Sequence, residues 1–163
     1  MKACPSFIDM KNKMIGEPFP EFELEADDNS VITHNDLLDY WSVLFFYPKD
    51  NSYGCTIESC TFRDEFERFE KLNTQIFGLS SDSTHVHQKF KKRQNLNYLL
   101  LSDIKGKLRK KLGIKKTLGL IDGRATFIVD QKGIVKHVIN SQIAFKRHVF
   151  EAAKFIEKET KGE

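Results

Sequence analysis

The amino-acid sequence predicts an α/β fold, a sandwich in which helices pack on a mixed β-sheet. Apolar runs of strand length, such as residues 42–47, alternate along the chain with segments whose apolar residues recur at helical spacing. The last two strand-like runs, residues 124–130 and 134–139, are joined by a short Gln-Lys-Gly turn and form a hairpin. Interleaved helices favour parallel strands and the closing hairpin is antiparallel, so a mixed sheet is expected.

Length and composition indicate one globular domain. The chain has 163 residues, of which 40% are hydrophobic and 30% are charged. We expect residues 1–15 to form a loose N-terminal arm and residues 16–163 to form a single domain. No apolar run approaches the roughly 20 residues of a membrane span, and the N-terminus lacks the apolar core of a secretory signal.

The cysteines bear on the compartment. Three cysteines, two of them close together, do not form the even framework of a secreted disulfide-rich protein. We therefore expect a reducing compartment, the cytoplasm, with the nucleus or an organelle as the alternatives if a presequence has been removed. Cys4 is interpreted as a spectator, and a role as a redox partner is its alternative.

Charge is distributed unevenly along the chain. Residues 1–88 carry 16 acidic and 7 basic side chains, a balance of −9, whereas residues 89–163 carry 7 acidic and 19 basic, a balance of +12. Eleven basic residues and one acid, Asp103, lie between Lys89 and Lys116. Solvated helix faces explain such a segment. Attraction to polyanions, or a nuclear address at residues 91–93, is the alternative.

The first elements form a small hairpin ahead of the central strand. Residues 21–25 alternate in polarity, and a polar turn separates them from residues 31–33, which predicts a β-hairpin with one solvent-facing side. Asn35 is expected to cap a short helical turn over residues 36–39. The continuous apolar run 42–47 predicts a strand that is buried on both faces.

A turn and a helix follow this strand. Pro48 ends the apolar run, and the next six residues have turn-forming composition. Four apolar residues then recur at helical spacing: Phe62, Phe66, Phe69 and Leu72. One amphipathic helix is therefore predicted, with Cys55 in or near its first turn and Asn51 or Ser52 as its N-cap.

The second half of the chain repeats the alternation of strand and helix. Strands are predicted over residues 74–79 and 98–101, and helices over residues 84–93 and 105–112. The expected caps are Ser83 or Thr84 for the first helix, Ser102 or Asp103 for the second, and Gly113 at its end. A C-terminal helix is predicted from an apolar stripe: Phe145, Val149, Ala152, Ala153 and Ile156.

The histidines do not predict a metal site. His85 and His87 are two residues apart and so point to different faces of a helix. His87 is interpreted as a packed helical histidine. A site made of Cys55, Cys60 and a histidine lacks the spacing of four metal ligands. We expect neither a metal nor a cofactor.

Cys55 has the environment of a reactive thiol. A free cysteine titrates near ~8.5, and its thiolate is the nucleophile. The unpaired N–H groups and the positive end of the dipole at a helix N-terminus favour that anion. Gly54 lets the backbone approach a ligand closely. A small buried hydrophobe is the alternative reading of Cys55 taken alone.

The motif around this cysteine resembles that of a known family. Pro48-x-x-x-Ser52-x-x-Cys55 resembles the active-site signature of the peroxiredoxins, Pro-x-x-x-Thr/Ser-x-x-Cys. The surrounding Tyr-Pro-Lys-Asp and Gly-Cys-Thr-Ile-Glu-Ser-Cys segments resemble the bacterioferritin-comigratory or Q-type branch, and further matches include Leu-Leu-Ser-Asp and Gly-Arg-Ala-Thr-Phe. The resemblance covers roughly residues 16–158. Tyr53 stands where this branch usually has proline, and Ser52 where threonine is usual.

The resemblance implies a thioredoxin-like three-layer sandwich, with a central mixed sheet flanked by helices and an N-terminal β-hairpin. It implies a thiol-dependent peroxidase in which Cys55 attacks hydrogen peroxide or an organic hydroperoxide and becomes a sulfenic acid. Arg124 would lie beside the thiolate, Ser52 would donate to the peroxide and Pro48 would cover the pocket. Glu58 would help to hold the hydrogen-bond network, although a solvated helical carboxylate is its simpler reading.

Cys60 decides how the cycle ends. On an intact helix, residues five apart are separated by about 8–9 Å between Cα atoms, whereas a disulfide needs at most about 7 Å. Either the two thiols never bond, or the first turns of the helix unwind. The resemblance implies the second, with Cys60 as the resolving cysteine of an intramolecular disulfide that thioredoxin or a glutaredoxin-type dithiol reduces.

Rival functions remain open at this point. A thiol–disulfide oxidoreductase on the same fold is one, but such enzymes favour Cys-x-x-Cys. A peroxide-sensing or nucleic-acid-associated redox protein that uses the basic second half is another. We expect no membrane and no nucleic-acid partner, and a monomer or a weak dimer.

Overall fold

The computed structural model describes residues 13–116 and 118–162. In this part of the chain the strands are β1 Glu23–Ala26, β2 Val31–Thr33, β3 Trp41–Phe46, β4 Thr74–Ser80, β5 Leu99–Ser102, β6 Ala125–Val129 and β7 Val135–Asn140. They form one sheet in the order β2-β1-β5-β4-β3-β6-β7. The β3–β4 and β4–β5 pairs are parallel, whereas the remaining pairs are antiparallel. The predicted mixed sheet and N-terminal hairpin are confirmed.

Helices cover both faces of the sheet. They are α1 Tyr53–Asp64, α2 Phe66–Lys71, α3 Thr84–Gln94, α4 Lys107–Lys111 and α5 Phe145–Lys161, with a 3-10 turn at His34–Leu37. Among the described residues, no helix combines the length and apolar character that crossing a membrane requires.

The central strand β3 separates two hydrophobic cores. Successive side chains of a strand point to opposite faces. Val43 and Phe45 accordingly pack into the core beneath α1, α2, α3 and α5, while Leu44 and Phe46 pack into the core beneath α4. All six residues of β3 are buried, as the continuous apolar run predicts. Helix, sheet and helix form the three layers of a thioredoxin-like sandwich.

Three loops meet at one edge of the sheet. Phe46, at the end of β3, is paired with Leu79 near the end of β4 and with Ala125 at the start of β6. The loops that follow β3 and β4 and the loop that precedes β6 therefore converge there. This edge carries the first turn of α1 and its cysteine.

The structure corrects three details of the predicted elements. The single helix through Leu72 is broken at Glu65, which lies near the bridge region with φ −92° and ψ 6° and separates α1 from α2. The 3-10 turn is capped by Thr33 in a capping box with Asp36, not by Asn35. The basic helix begins at Lys107 rather than residue 105, because Gly106 adopts the left-handed conformation ahead of it.

Of the predicted N-terminal arm, residues 1–15, the structure describes only residues 13–15. Residues 1–12, including Cys4, lie outside the described residues. Met14 packs against the core beneath α4. The Gly16 backbone N–H donates to the Val135 carbonyl at 2.8 Å, so the chain is already bonded to β7 at residue 16.

Candidate active site

Cys55 is the third residue of α1 and is fully buried. Its position follows from the sequence, because the apolar strand β3 ends at Phe46 and the short polar loop turns the chain into the helix. The residue preceding α1 is Ser52, with extended backbone angles typical of an N-cap. Cys55 therefore lies where the unpaired N–H groups of a helix favour an anion.

Arg124 reaches Cys55 from the start of the neighbouring strand β6. Its Nη2 donates to the Cys55 Sγ at 3.3 Å, and its Nη1 donates to Oε1 of Glu58 at 3.1 Å. Gln142 holds the arginine from the other side: its carbonyl accepts from Arg124 Nε at 3.3 Å and its Oε1 accepts from the Arg124 backbone N–H at 3.0 Å. A cation at this distance stabilises a thiolate.

Phe145, the first residue of α5, covers one side of the site. The guanidinium carbon of Arg124 lies 4.9 Å from the centre of its ring, a cation–π contact. Gly54 is needed beneath the same ring, because a Cβ added there would lie 2.3 Å from Phe145. The ring therefore fixes both the first turn of α1 and the arginine.

Glu58 lies one turn after Cys55 on the same face of α1 and is fully buried. Burial raises the pKa of Glu58 to about 8, against the opposing effect of Arg124. Little offsets this cost of burial, because Oε2 has no hydrogen-bond partner and Arg124 is shared with Cys55. At neutral pH the carboxyl is therefore mostly protonated, and the positive charge of Arg124 remains available to Cys55. The simpler reading of Glu58 as a solvated carboxylate is wrong.

A buried histidine lies behind Glu58. His148 Nδ1 is 3.8 Å from Glu58 Oε2 and 2.7 Å from the hydroxyl of Thr126, and its Nε2 is 2.8 Å from the carbonyl of Ser141. Burial lowers the pKa of His148 to about 4, so the ring is neutral. Because the Ser141 carbonyl can only accept, Nε2 carries the hydrogen and Nδ1 accepts from Thr126.

The loop before α1 contains the other predicted residues. Pro48 is half-buried, and the Ser52 hydroxyl donates to the Lys49 carbonyl at 3.0 Å instead of capping α1. Both residues flank the buried thiol, but Ser52 is turned toward its own loop.

The buried residue Asp50 fixes the same loop through its hydrogen bonds. Its carboxylate accepts from the Tyr47 hydroxyl at 2.6 Å and lies 2.6 Å from Nδ1 of His87, while its backbone N–H donates to Asp82 at 2.8 Å. His87 is fully buried, as expected of a packed histidine, whereas His85 is exposed on the opposite side of α3. Asp50, Asp82 and His87 offer ligand atoms within 4.8 Å of one another, but these hydrogen bonds already account for them.

Cys60 does not contact Cys55 in the structure. It lies on the same uninterrupted helix, half-buried, with its Sγ 3.5 Å from Oε1 of Gln94 at the end of α3. Both thiols are free. Burial raises the pKa of Cys60. A disulfide between the two requires the helix to unwind.

Sequence reasoning missed several residues of this site. The motif locates Cys55, Gly54, Glu58 and Arg124, which the fold brings together. Gln142 and Thr126 have no local signal. Phe145 was predicted only as part of the apolar stripe, and His148, one residue before Val149 on that helix, could have been noticed as a polar residue beside the stripe.

Comparison with protein families gives one clear match. Residues 15–138 match the model of the AhpC/TSA family. The chloroplastic peroxiredoxin Q of Populus jackii is 33% identical over 161 residues, which is 95% of this chain and 76% of that protein. That of Arabidopsis thaliana is 34% identical over 142 residues, which is 86% of this chain and 66% of that protein. The chain thus spans about two thirds of the length of several plant relatives.

Solved structures give the same result. The structure of peroxidoxin BcpB from Mycobacterium tuberculosis superposes with a TM-score of 0.82 and 31% identity, covering 89% of this chain and 97% of that one. A PrxQ variant from Xylella fastidiosa superposes with a TM-score of 0.83 and 26% identity, covering 90% and 96%.

Proposed function

The chain belongs to the AhpC/TSA family, in its peroxiredoxin Q branch, and on that premise we propose that it is a thiol-dependent peroxidase acting through Cys55. The observation that carries the proposal is the contact of Arg124 Nη2 with the Cys55 Sγ, at 3.3 Å in a buried site at a helix N-terminus. The thiolate is the nucleophilic form of cysteine, and a neighbouring guanidinium stabilises it.

The first step oxidises Cys55. The thiolate attacks the terminal oxygen of a hydroperoxide, the S–O bond forms as the O–O bond breaks, and the leaving oxygen takes a proton to become water or an alcohol. Arg124 is suited to stabilise the charge as it moves from sulfur to the leaving oxygen, and the N–H of Cys55 supplies a further donor. Ser52 would donate to the peroxide after its hydroxyl turns away from the Lys49 carbonyl. Pro48 would shield the pocket.

The second step uses Cys60. Its thiol attacks the sulfenic acid of Cys55, a disulfide forms and water leaves. Thioredoxin or a glutaredoxin-type dithiol then reduces the disulfide by exchange. The half-buried position of Cys60, held by Gln94, supports a thiol that is kept apart until α1 unwinds. We propose that the protein works as a monomer or a weak dimer, which sedimentation velocity would test.

Peroxide consumption coupled to thioredoxin and its reductase tests the function. We expect turnover with hydrogen peroxide and alkyl hydroperoxides, and none for Cys55→Ser. Cys4→Ser is the matched control and should keep nearly full activity. Full activity of Cys55→Ser would refute the assignment of the nucleophile, and absence of any peroxide-dependent turnover in the wild type would refute the peroxidase itself.

A further inference from the structure

Arg109 differs from the rest of the basic segment 89–116. Of its eleven basic residues, all within the described part of the chain, only Arg109 is buried. It lies on α4, where its neighbours Lys110 and Lys111 are exposed. A buried guanidinium is costly unless its charge and its donors are used. Its contacts therefore indicate what it does.

The guanidinium of Arg109 joins two loops at the edge of the sheet. Its Nη2 donates to the Tyr47 carbonyl at 3.1 Å, and its Nη1 lies 3.0 Å from Oδ2 of Asp122. Tyr47 directly precedes Pro48, and Asp122 lies two residues before Arg124. One side chain thus connects the loop that leads to Cys55 with the loop that leads to Arg124.

The same residue holds both ends of the loop from 114 to 122. Its backbone carbonyl accepts from the Ile114 N–H at 3.1 Å, while its side chain meets Asp122 at the other end. Gly123 closes this loop tightly, because a Cβ added there would lie 2.3 Å from the Lys115 carbonyl. Arg124 follows immediately.

Arg109 is itself held in place. Asp103 accepts from the backbone N–H groups of Leu108 at 3.3 Å and of Arg109 at 3.0 Å, which anchors the start of α4. The guanidinium carbon lies 5.8 Å from the ring centre of Phe46, at the end of β3. Asp122 also accepts from the Ser81 hydroxyl at 2.9 Å, so its carboxylate is fixed as well.

We propose that Arg109 is a positioning residue for the peroxide reaction. It ties the loop that contains Pro48 to the loop that precedes Arg124, and it thereby fixes the Arg124 guanidinium against Cys55. The inference rests on the proposed peroxidase function. A guanidinium suits this role, because Nη2 donates to the Tyr47 carbonyl while Nη1 forms an ion pair with Asp122 without the alignment of a hydrogen bond, and a lysine offers one ammonium group on a flexible stem.

Two reactions of Cys55 separate positioning from mere stability. Alkylation by iodoacetamide needs the thiolate. The reaction with hydrogen peroxide also needs Arg124 to be placed where it stabilises the oxygen that leaves as the O–O bond breaks. The ratio of the two rate constants, measured by stopped flow and mass spectrometry at one pH, therefore reports the placement of Arg124. Loss of stability alone would lower the thermal midpoint without lowering this ratio.

The variants are Arg109→Lys, which keeps the charge, Asp122→Asn, which removes one anchor, and Arg109→Met, which removes the charge as well. Lys110→Met, the exposed neighbour, is the control. Since a displacement of about 1 Å at a reacting centre costs up to about a hundredfold in rate, we expect the ratio to fall about ten- to a hundredfold in Arg109→Lys and Asp122→Asn.

An unchanged ratio in Arg109→Lys and Asp122→Asn, with Lys110→Met at the wild-type value, would overturn the proposal. These two conservative variants decide the matter if Arg109→Met does not fold. A wild-type protein that reacts with peroxide no faster than a free thiol would instead refute the peroxidase function, whatever the variants do.

Discussion

At the scale of single residues, Glu58 links the site to pH. Its pKa is raised from 4.5 to about 8 by burial, so folding favours its protonated form. The stability that this proton contributes is fully present below pH 4.5 and is lost as the pH rises through 8. Glu58→Gln stays neutral and can keep the contact with Arg124, so it should remove this pH dependence.

The measurement is urea denaturation of the reduced protein at a series of pH values between 5 and 8. In the wild type, we expect the free energy of unfolding to fall with pH by up to about 1.4 kcal/mol per pH unit from this one group. The Glu58→Gln protein should show a flatter profile. Parallel profiles for the two proteins would mean that Glu58 is ionised throughout.

Arg124 makes two contacts that a lysine cannot make together. Arg124→Lys should therefore slow the oxidation of Cys55 by hydrogen peroxide by about 10²–10³-fold, the usual cost of losing a donor that stabilises a transition state. Stopped-flow measurement of sulfenic acid formation tests it. Lys146→Ala, an exposed basic residue on α5, is the control. Equal rates for Arg124→Lys and the control would show that the charge alone suffices.

At the scale of elements, the break at Glu65 limits what oxidation must unfold. Cys55 and Cys60 both lie in α1, and α2 begins after Glu65 as a separate helix anchored by the buried Phe69. Disulfide formation should unwind α1 from Gly54 toward Arg63 and leave α2 intact.

Hydrogen exchange on reduced and peroxide-treated protein would detect this unwinding. The backbone amides of residues 55–60 should lose protection, while those of α2 keep theirs. Cys60→Ser, treated in the same way, should retain protected amides and accumulate over-oxidised Cys55. Unchanged protection in the oxidised wild type would mean that Cys60 does not resolve Cys55 within the chain.

An element can be predicted from the sequence when the residues that determine it are contiguous in the chain. β3 and the start of α1 were predictable because an apolar run, a proline and a cysteine motif are contiguous. The break at Glu65 was not, because the apolar spacing continues through it and no glycine or proline marks it. Arg109 and Gln142 reach the site only through tertiary contacts, so their positions in the chain reveal nothing about it.

At the scale of the whole molecule, the basic second half does not form one surface. α3 packs through Phe90 on one face of the sheet, and α4 packs through Leu108 on the other. Lys91 is paired with Asp27 at 3.0 Å, and Lys111 donates to the Glu21 carbonyl at 2.7 Å. The basic residues of α3 and of α4 therefore lie on opposite faces of the sheet and form no single patch.

Binding to DNA should accordingly be weak. In fluorescence anisotropy with a labelled duplex at physiological salt, we expect a Kd no tighter than about 10⁻⁴ M, the weak limit of non-specific binding. A Kd in the micromolar range with a steep dependence on salt would revive the nucleic-acid alternative.

The central strand also supplies an optical probe. Trp41, the chain's one tryptophan, begins β3 and is only 7% exposed. The six residues of this strand extend over about 17 Å, and the loop that leads to Cys55 follows the opposite end of the strand from Trp41. Its emission should therefore shift when urea exposes the indole and change little when peroxide unwinds α1. Intrinsic fluorescence would then follow global unfolding in either oxidation state, undisturbed by the chemistry at the opposite end of the strand.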